Sequence, residues 1–181
     1  GYHNDDLEFA EQKPKVYIDS TKKRLIVERL AQNIKLLRNF KDIRVVDDKD
    51  NDFIAFTDIE AKTMYLNIGA TFMDYTDIVK HLEGLIIHEL GHLDKRLKVP
   101  ASSKYSRELM KQLGKNADWE LVNLLFDWEI HHQYNNKNMI KPTQRRKLKE
   151  FLTETRNKCF EMSKGDDITL SMTYPTSDVQ K

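Results

Sequence analysis

The residues best suited to chemistry in this chain are His88, Glu89 and His92, which form an H-E-x-x-H pattern. Residues four apart lie one above the other on an α-helix, so both imidazoles can reach one metal ion. A catalytic zinc site uses three protein ligands, commonly imidazole nitrogens, and keeps a fourth position for water. Glu89 directly follows the first histidine, where its carboxylate can act on that water. The pattern therefore predicts a zinc hydrolase, most simply a peptidase.

The surroundings of the motif favour a metal site over two ordinary surface histidines. Leu85, Ile86 and Ile87 come directly before it, and a polar cluster in such an apolar segment is costly to bury without partners. Gly91 costs about 1 kcal/mol in a helix interior. We interpret this glycine as a position without a side chain that lets neighbouring backbone come close to the second histidine.

A third ligand must come from elsewhere, because Lys95 and Lys98 occupy the positions where an extended H-E-x-x-H motif would carry it. The best source is a predicted helix over residues 116–134. Its polar residues recur at steps of three or four and share one face: Glu120, Asn123, Asp127, His131 and Tyr134. We predict Asp127 as the ligand, since Asn123 and His131 lie one turn on either side and can orient its carboxylate.

Different residues of this helix could take the place of Asp127. Glu120 is the main alternative ligand, and the weaker ones are His131, Glu129 and Asp118. The same polar face could also be the solvated side of a surface helix, with no ligand at all.

The predicted site implies a mechanism of water activation. Zinc lowers the pKa of a bound water toward about 7. Glu89 takes the proton as the water attacks the scissile carbonyl, then passes it to the leaving amine. The developing negative charge needs a donor besides the metal, for which His131 and Tyr134 are the candidates. A core-packed tyrosine and a solvated histidine are the non-catalytic alternatives.

Length and composition limit the class of protein. A chain of 181 residues suits one domain with a hydrophobic core, which we place over residues 1–181, with a loose arm at 1–14 and a tail at 166–181. Thirty Lys and Arg against 29 Asp and Glu give no reason to expect nucleic acid. A single cysteine, Cys159, favours a reducing compartment, so we expect a cytoplasmic protein. No apolar run is long enough to predict a membrane span.

Apolar spacing predicts the elements that position the site. A helix over residues 20–40 precedes three short strands at 43–46, 53–57 and 63–68, expected to form an antiparallel meander or hairpin. The motif helix should run from residue 74 or 76 to about 96. Further helices should cover 103–113 and 116–134, a fifth should follow Lys141-Pro142, and residues 168–174 could form a strand. The fold class is α+β: a small antiparallel or mixed sheet of about three to four strands packed against the active-site helix, followed by a mainly helical C-terminal half.

The motif and the ligand helix together resemble a known family. His88-Glu-Leu-Gly-His92 followed by Asn123-x-x-x-Asp127-x-x-Ile130 resembles the zincin-like metallopeptidase domains often encoded beside von Willebrand A domains in bacteria and phages. The resemblance covers roughly residues 53–134 and implies a zincin-like fold with Asp127 as third ligand, although the family more often has Asn where His131 stands. A more distant likeness is to the phage-repressor-cleaving metallopeptidases, whose later glutamate would fall on Glu120.

These features predict a zinc-dependent metallopeptidase that holds one Zn²⁺ and acts on a protein or peptide substrate. Two alternatives stay open: zinc-dependent hydrolysis of a non-peptide amide, and a catalytically silent zincin-like module that binds a partner protein, such as a regulatory protein. The intact Glu89 argues against the silent module, which has no need of a base beside the metal. Nucleic acid and membrane are not expected partners. The substrate would bind as an added strand on the edge offered by residues 63–68 or 53–57.

Overall fold

The computed structural model describes residues 13–19, 24–97, 103–114, 119–136 and 138–163. Contacts within the chain group it into two compact units, Gly1–Leu90 and Gly91–Lys181. Most of the predicted N-terminal arm, the predicted tail and the strand predicted at 168–174 lie outside the described residues.

The four described strands belong to the first unit and form one mixed sheet in the order β1-β2-β4-β3. They are β1 (Lys15–Ile18), β2 (Asp42–Val46), β3 (Ala55–Asp58) and β4 (Thr63–Asn67). β1 runs parallel to β2 and β2 runs parallel to β4, whereas β3 is antiparallel to β4. The predicted α+β class with a small mixed sheet is therefore confirmed.

The antiparallel meander is wrong for β2 and β4, which are parallel neighbours. The cause is the loop after β2, which passes the end of β4 so that β3 pairs on the far side of β4. Asn67, at the end of β4, is completely buried. Its amide nitrogen donates to the carbonyls of Asp48, Asn51 and Phe53, and its oxygen accepts from the backbone of Asp48 and Gly69. No pattern in the sequence predicts β1, which is short and mostly exposed.

The described part of the chain up to residue 91 also contains four helices: α1 (Arg24–Gln32), α2 (Ile34–Leu37), α3 (Tyr75–Lys80) and α4 (Leu82–Gly91). The single helix predicted over residues 20–40 is interrupted at Asn33, whose side chain donates back to a carbonyl of α1. The motif helix begins after Asp74, whose carboxylate accepts the backbone N–H of Asp77 as an N-cap. It is interrupted at His81 and ends at Gly91, several residues before the predicted end.

One face of the sheet contributes to the apolar core of the first unit. The register places Ile43 beside Met64 and Val45 beside Leu66, and all four side chains are fully buried. The helices supply a second group of buried apolar residues: Ile26, Leu30, Leu37, Ile78, Leu82, Leu85 and Ile86.

The described part of the second unit is helical, with α5 (Ser103–Leu113), α6 (Trp119–Asn136) and α7 (Pro142–Ser163). Gly114 follows α5 with a φ of 66°, the left-handed conformation that glycine supplies at helix ends. Buried apolar residues of α6 and α7 include Val122, Leu124, Phe126, Ile130, Leu148 and Phe151. No helix among the described residues combines the length and the apolar character needed to cross a membrane.

The hydrogen-bonded loop around Asn67 leads to a prediction about stability. The substitution Asn67→Asp replaces an amide that donates to three carbonyls with an oxygen that repels them. We expect a loss of about 3 kcal/mol or more in the free energy of unfolding, because buried unpaired polar groups cost about 1–3 kcal/mol each. Denaturant unfolding measures it. Asn33→Asp, which removes one exposed amide contact, is the matched control, and an equal loss in both variants would contradict the role given to Asn67.

Candidate metal centre

Helix α4 is buried around its whole circumference along the segment that carries the motif. Ile86 and Ile87 are at most 3% exposed, and His88 and Glu89, which follow them, are 8% and 3% exposed. An imidazole and a carboxylate in such surroundings are costly unless other polar groups or a metal ion compensate them. The partners of these two side chains are therefore the key to the site.

His88, His92 and Asp127 bring their ligand atoms together. Each offers one atom, and the three atoms lie within 4.8 Å of one another. His88 and His92 are one helical turn apart on continuous chain, with His92 directly after the last residue of α4. His88 is buried and the other two residues are half-buried. This cluster can hold a metal ion, and it contains the three residues that the sequence predicts as ligands.

One contact within the cluster joins His92 and Asp127. His92 Nε2 lies 3.3 Å from Asp127 Oδ1, with side-chain exposures of 17% and 27%. A charge-assisted hydrogen bond between nitrogen and carboxylate is shorter, about 2.7–2.9 Å. The separation is thus wide for a strong direct bond between the two side chains.

Helix α6 is fixed against the chain around His92 at two further points. A Cβ at Gly91 would lie 2.4 Å from Ile130 Cγ2, so only glycine allows this approach. From the sequence we expected neighbouring backbone to come close to Gly91. The atoms that come close belong instead to a side chain. Further along, Tyr134 Oη donates to Asp94 Oδ2 at 2.9 Å. Asp127, Ile130 and Tyr134 therefore lie on one face of α6, and each contacts residues 91–94.

The Tyr134 contact belongs to a local network. Arg96 donates to the carboxylate of Asp94 through its side chain and its backbone N–H, and to the carbonyl of Met139. Burial opposes the ionisation of Asp94, but the bonds from Arg96 and Tyr134 outweigh it and lower the pKa of Asp94. Burial and the charge of Asp94 raise the pKa of Tyr134 far above its ordinary value. The Tyr134 hydroxyl therefore stays protonated and donates to Asp94.

One partner of Glu89 lies on the sheet, within the first unit. Thr57 Oγ1, on β3, donates to Glu89 Oε2 at 2.8 Å. The same hydroxyl lies 3.4 Å from the Glu89 carbonyl oxygen, a much weaker contact. Neither Thr57 nor Asp94 is recognisable from the sequence, because a threonine in a strand and an aspartate beyond a motif have no special spacing.

The other predicted residues of α6 have different surroundings. His131 is buried at 8% exposure, and its catalytic role, like that of Tyr134, stays a prediction. Asn123 is exposed. Glu129 accepts a hydrogen bond from Gln133 at 2.8 Å. The side chain of Glu120 and the whole of Asp118 lie outside the described residues.

The close approach at Gly91 predicts the effect of a small substitution. Gly91→Ala places a methyl group 2.4 Å from Ile130 Cγ2. Overpacking costs about 1–3 kcal/mol, which exceeds the gain of about 1 kcal/mol in helix propensity. We therefore expect Gly91→Ala to destabilise the protein in denaturant unfolding. In an Ile130→Ala background the same substitution should be neutral or stabilising, and a simple additive loss would show that no such contact exists.

The ligand cluster predicts which variants lose metal. After loading with Zn²⁺ and desalting, the parent protein should retain about one equivalent of metal. His88→Ala, His92→Ala and Asp127→Ala should weaken affinity by about 100-fold or more, since even residues that only orient ligands cost 10–100-fold. Chelator competition measures the affinity. Glu129→Ala, two residues from Asp127, is the matched carboxylate control and should retain metal. Loss of metal in Glu120→Ala with retention in Asp127→Ala would assign the third ligand to Glu120.

Comparison of the chain with protein-family models, curated proteins and solved structures finds no match. The resemblance to the zincin-like metallopeptidases therefore stays a prediction, and the proposal for function depends on the residues and their geometry.

Proposed function

We propose that this chain is a zinc-dependent metallopeptidase that hydrolyses peptide bonds with Glu89 as its general base. The single observation that carries the proposal is the convergence of His88, His92 and Asp127, with the buried Glu89 next to His88 in the chain. Two imidazoles, one carboxylate and a neighbouring acid form the donor set and base of many zinc hydrolases.

The donor set and its spacing support zinc as the ion. Zinc binds histidine nitrogen at about 2.0–2.1 Å and carboxylate oxygen at about 2.0–2.2 Å. His92 Nε2 and Asp127 Oδ1, which are 3.3 Å apart, are close enough to bind the same ion. When bound, such an ion polarises a carbonyl group and lowers the pKa of water.

Glu89 is suited to move the proton. Its carboxylate accepts the proton of the attacking water and returns it to the nitrogen of the leaving amine, so that one group serves both halves of the reaction. Its low exposure, 3%, limits competition from solvent. The hydrogen bond from Thr57 keeps the carboxylate in one orientation.

The free edge of the sheet supports an extended peptide as substrate. β3 is the terminal strand of the sheet and, within the described residues, pairs with β4 alone. The N–H of Asn67 donates to the carbonyl of Ile54 at 2.7 Å. Hydrogen-bonded and non-hydrogen-bonded residue pairs alternate along antiparallel strands. The backbone of Phe56 is therefore hydrogen-bonded to β4, and the backbone N–H groups of Ala55 and Thr57 point away from β4. An extended peptide can form backbone hydrogen bonds with these outward groups. A small amide has no extended backbone with which to form them.

The isosteric substitution Glu89→Gln tests the function. It removes the base and leaves the three ligands, so we expect retained zinc and a fall in kcat of about 10²–10⁴-fold on an unfolded protein such as denatured casein. Glu83→Gln, earlier on the same helix, is the control and should keep parental activity.

The same assay separates the competing functions. Turnover of small amides without cleavage of casein would show that the protein is an amidase and not a peptidase. A fully active Glu89→Gln variant would contradict the proposed base. A biological effect that survives in Glu89→Gln would instead favour a module that binds a partner protein.

A further inference from the structure

We propose that Thr57 is a positioning residue for Glu89, holding one carboxylate oxygen so that the other accepts the proton of the attacking water. The inference rests on the proposed function. Thr57 Oγ1 donates a hydrogen bond of 2.8 Å to Glu89 Oε2. Glu89 is 3% exposed, so this hydroxyl takes the place of water at that oxygen.

The two carboxylate oxygens of Glu89 have different roles: Oε2 accepts the hydrogen bond from Thr57, and Oε1 takes the proton. A threonine hydroxyl carries one proton, and Thr57 directs it to Oε2, so Thr57 does not compete for Oε1. The last torsion of a glutamate is otherwise broad. Fixing Oε2 thus fixes the direction in which Oε1 presents its lone pairs.

The position of Thr57 in the sheet connects the base with the substrate strand. Its side chain contacts Glu89, while its backbone N–H and carbonyl lie on the outer edge of β3, where a peptide would pair. β-branched side chains are stiff about χ1. The next residue in β3 towards the N-terminus, Phe56, stacks on Tyr65 of β4 with ring centroids 4.4 Å apart, which holds β3 in place. One residue therefore sets the distance between the base and the bound peptide.

The test compares Thr57→Val, which removes the hydroxyl at nearly constant volume, with Thr57→Ser, which keeps it. On denatured casein with the zinc-loaded full chain, we expect Thr57→Val to lower kcat by about 10–100-fold, the cost of misplacing a catalytic group. KM should change little, because the backbone of β3 is intact. Thr57→Ser should restore most of kcat. Thr155→Val, which removes a buried hydroxyl bonded to the Phe151 carbonyl, is the matched control and should leave kcat unchanged.

A second measurement needs neither metal nor activity. In metal-free protein, Thr57→Val should lower the denaturant midpoint of the parent but have little effect in a Glu89→Ala background, because the hydrogen bond is then already lost.

Parental kcat in Thr57→Val, or an equal fall in Thr57→Ser, would overturn the positioning role while leaving the peptidase intact. An equal midpoint shift in both backgrounds would also overturn it. A zinc-loaded parent that cleaves neither casein nor small amides would instead overturn the proposed function, and the positioning role with it.

Discussion

The burial of an imidazole and a carboxylate in an apolar helix is the constraint on which the rest of this structure depends. His88 and Glu89 follow Ile86 and Ile87 in α4, and none of the four is more than 8% exposed. Such polar groups destabilise a fold unless each finds a partner. The sheet supplies one for Glu89 through Thr57, and the ligand atom of His88 lies within 4.8 Å of those of His92 and Asp127.

The register of α6 is set by packing as well as by polar contacts. Ile130 packs on Gly91 between two polar pairs, His92 with Asp127 and Tyr134 with Asp94. A rotation of α6 that moved Asp127 away from His92 would also move Ile130 and separate the Tyr134 hydroxyl from its acceptor. The position of the Asp127 carboxylate is therefore determined by neighbours that need no metal.

Periodicity and motif spacing predicted much of the molecule but missed what depends on distant pairing. The mixed α+β class, helix α5 and the shared face of His88 and His92 follow from local spacing, since residues four apart share a helix face. Spacing also put Asp127 on the polar face of its helix, but it left other residues of that helix as alternative ligands. The parallel pairing of β2 and β4 depends on Asn67, which bonds to a loop 14–19 residues earlier. Thr57 likewise contacts Glu89 across 32 residues of chain. Contacts of this kind join residues far apart in the chain, which spacing does not encode.

The metal-independent contacts around α6 bear on how folding and metal binding are coupled. Small zinc domains are unfolded without metal, and their ligands come together only when the ion binds. The free energy of metal binding therefore drives their folding. Here His92 and Asp127 belong to segments that are already joined by the Ile130 packing and by the hydrogen bond between Tyr134 and Asp94. We therefore expect an ion at this cluster to bind with little loss of chain entropy, and the metal-free protein to keep the contacts of Ile130 and Tyr134.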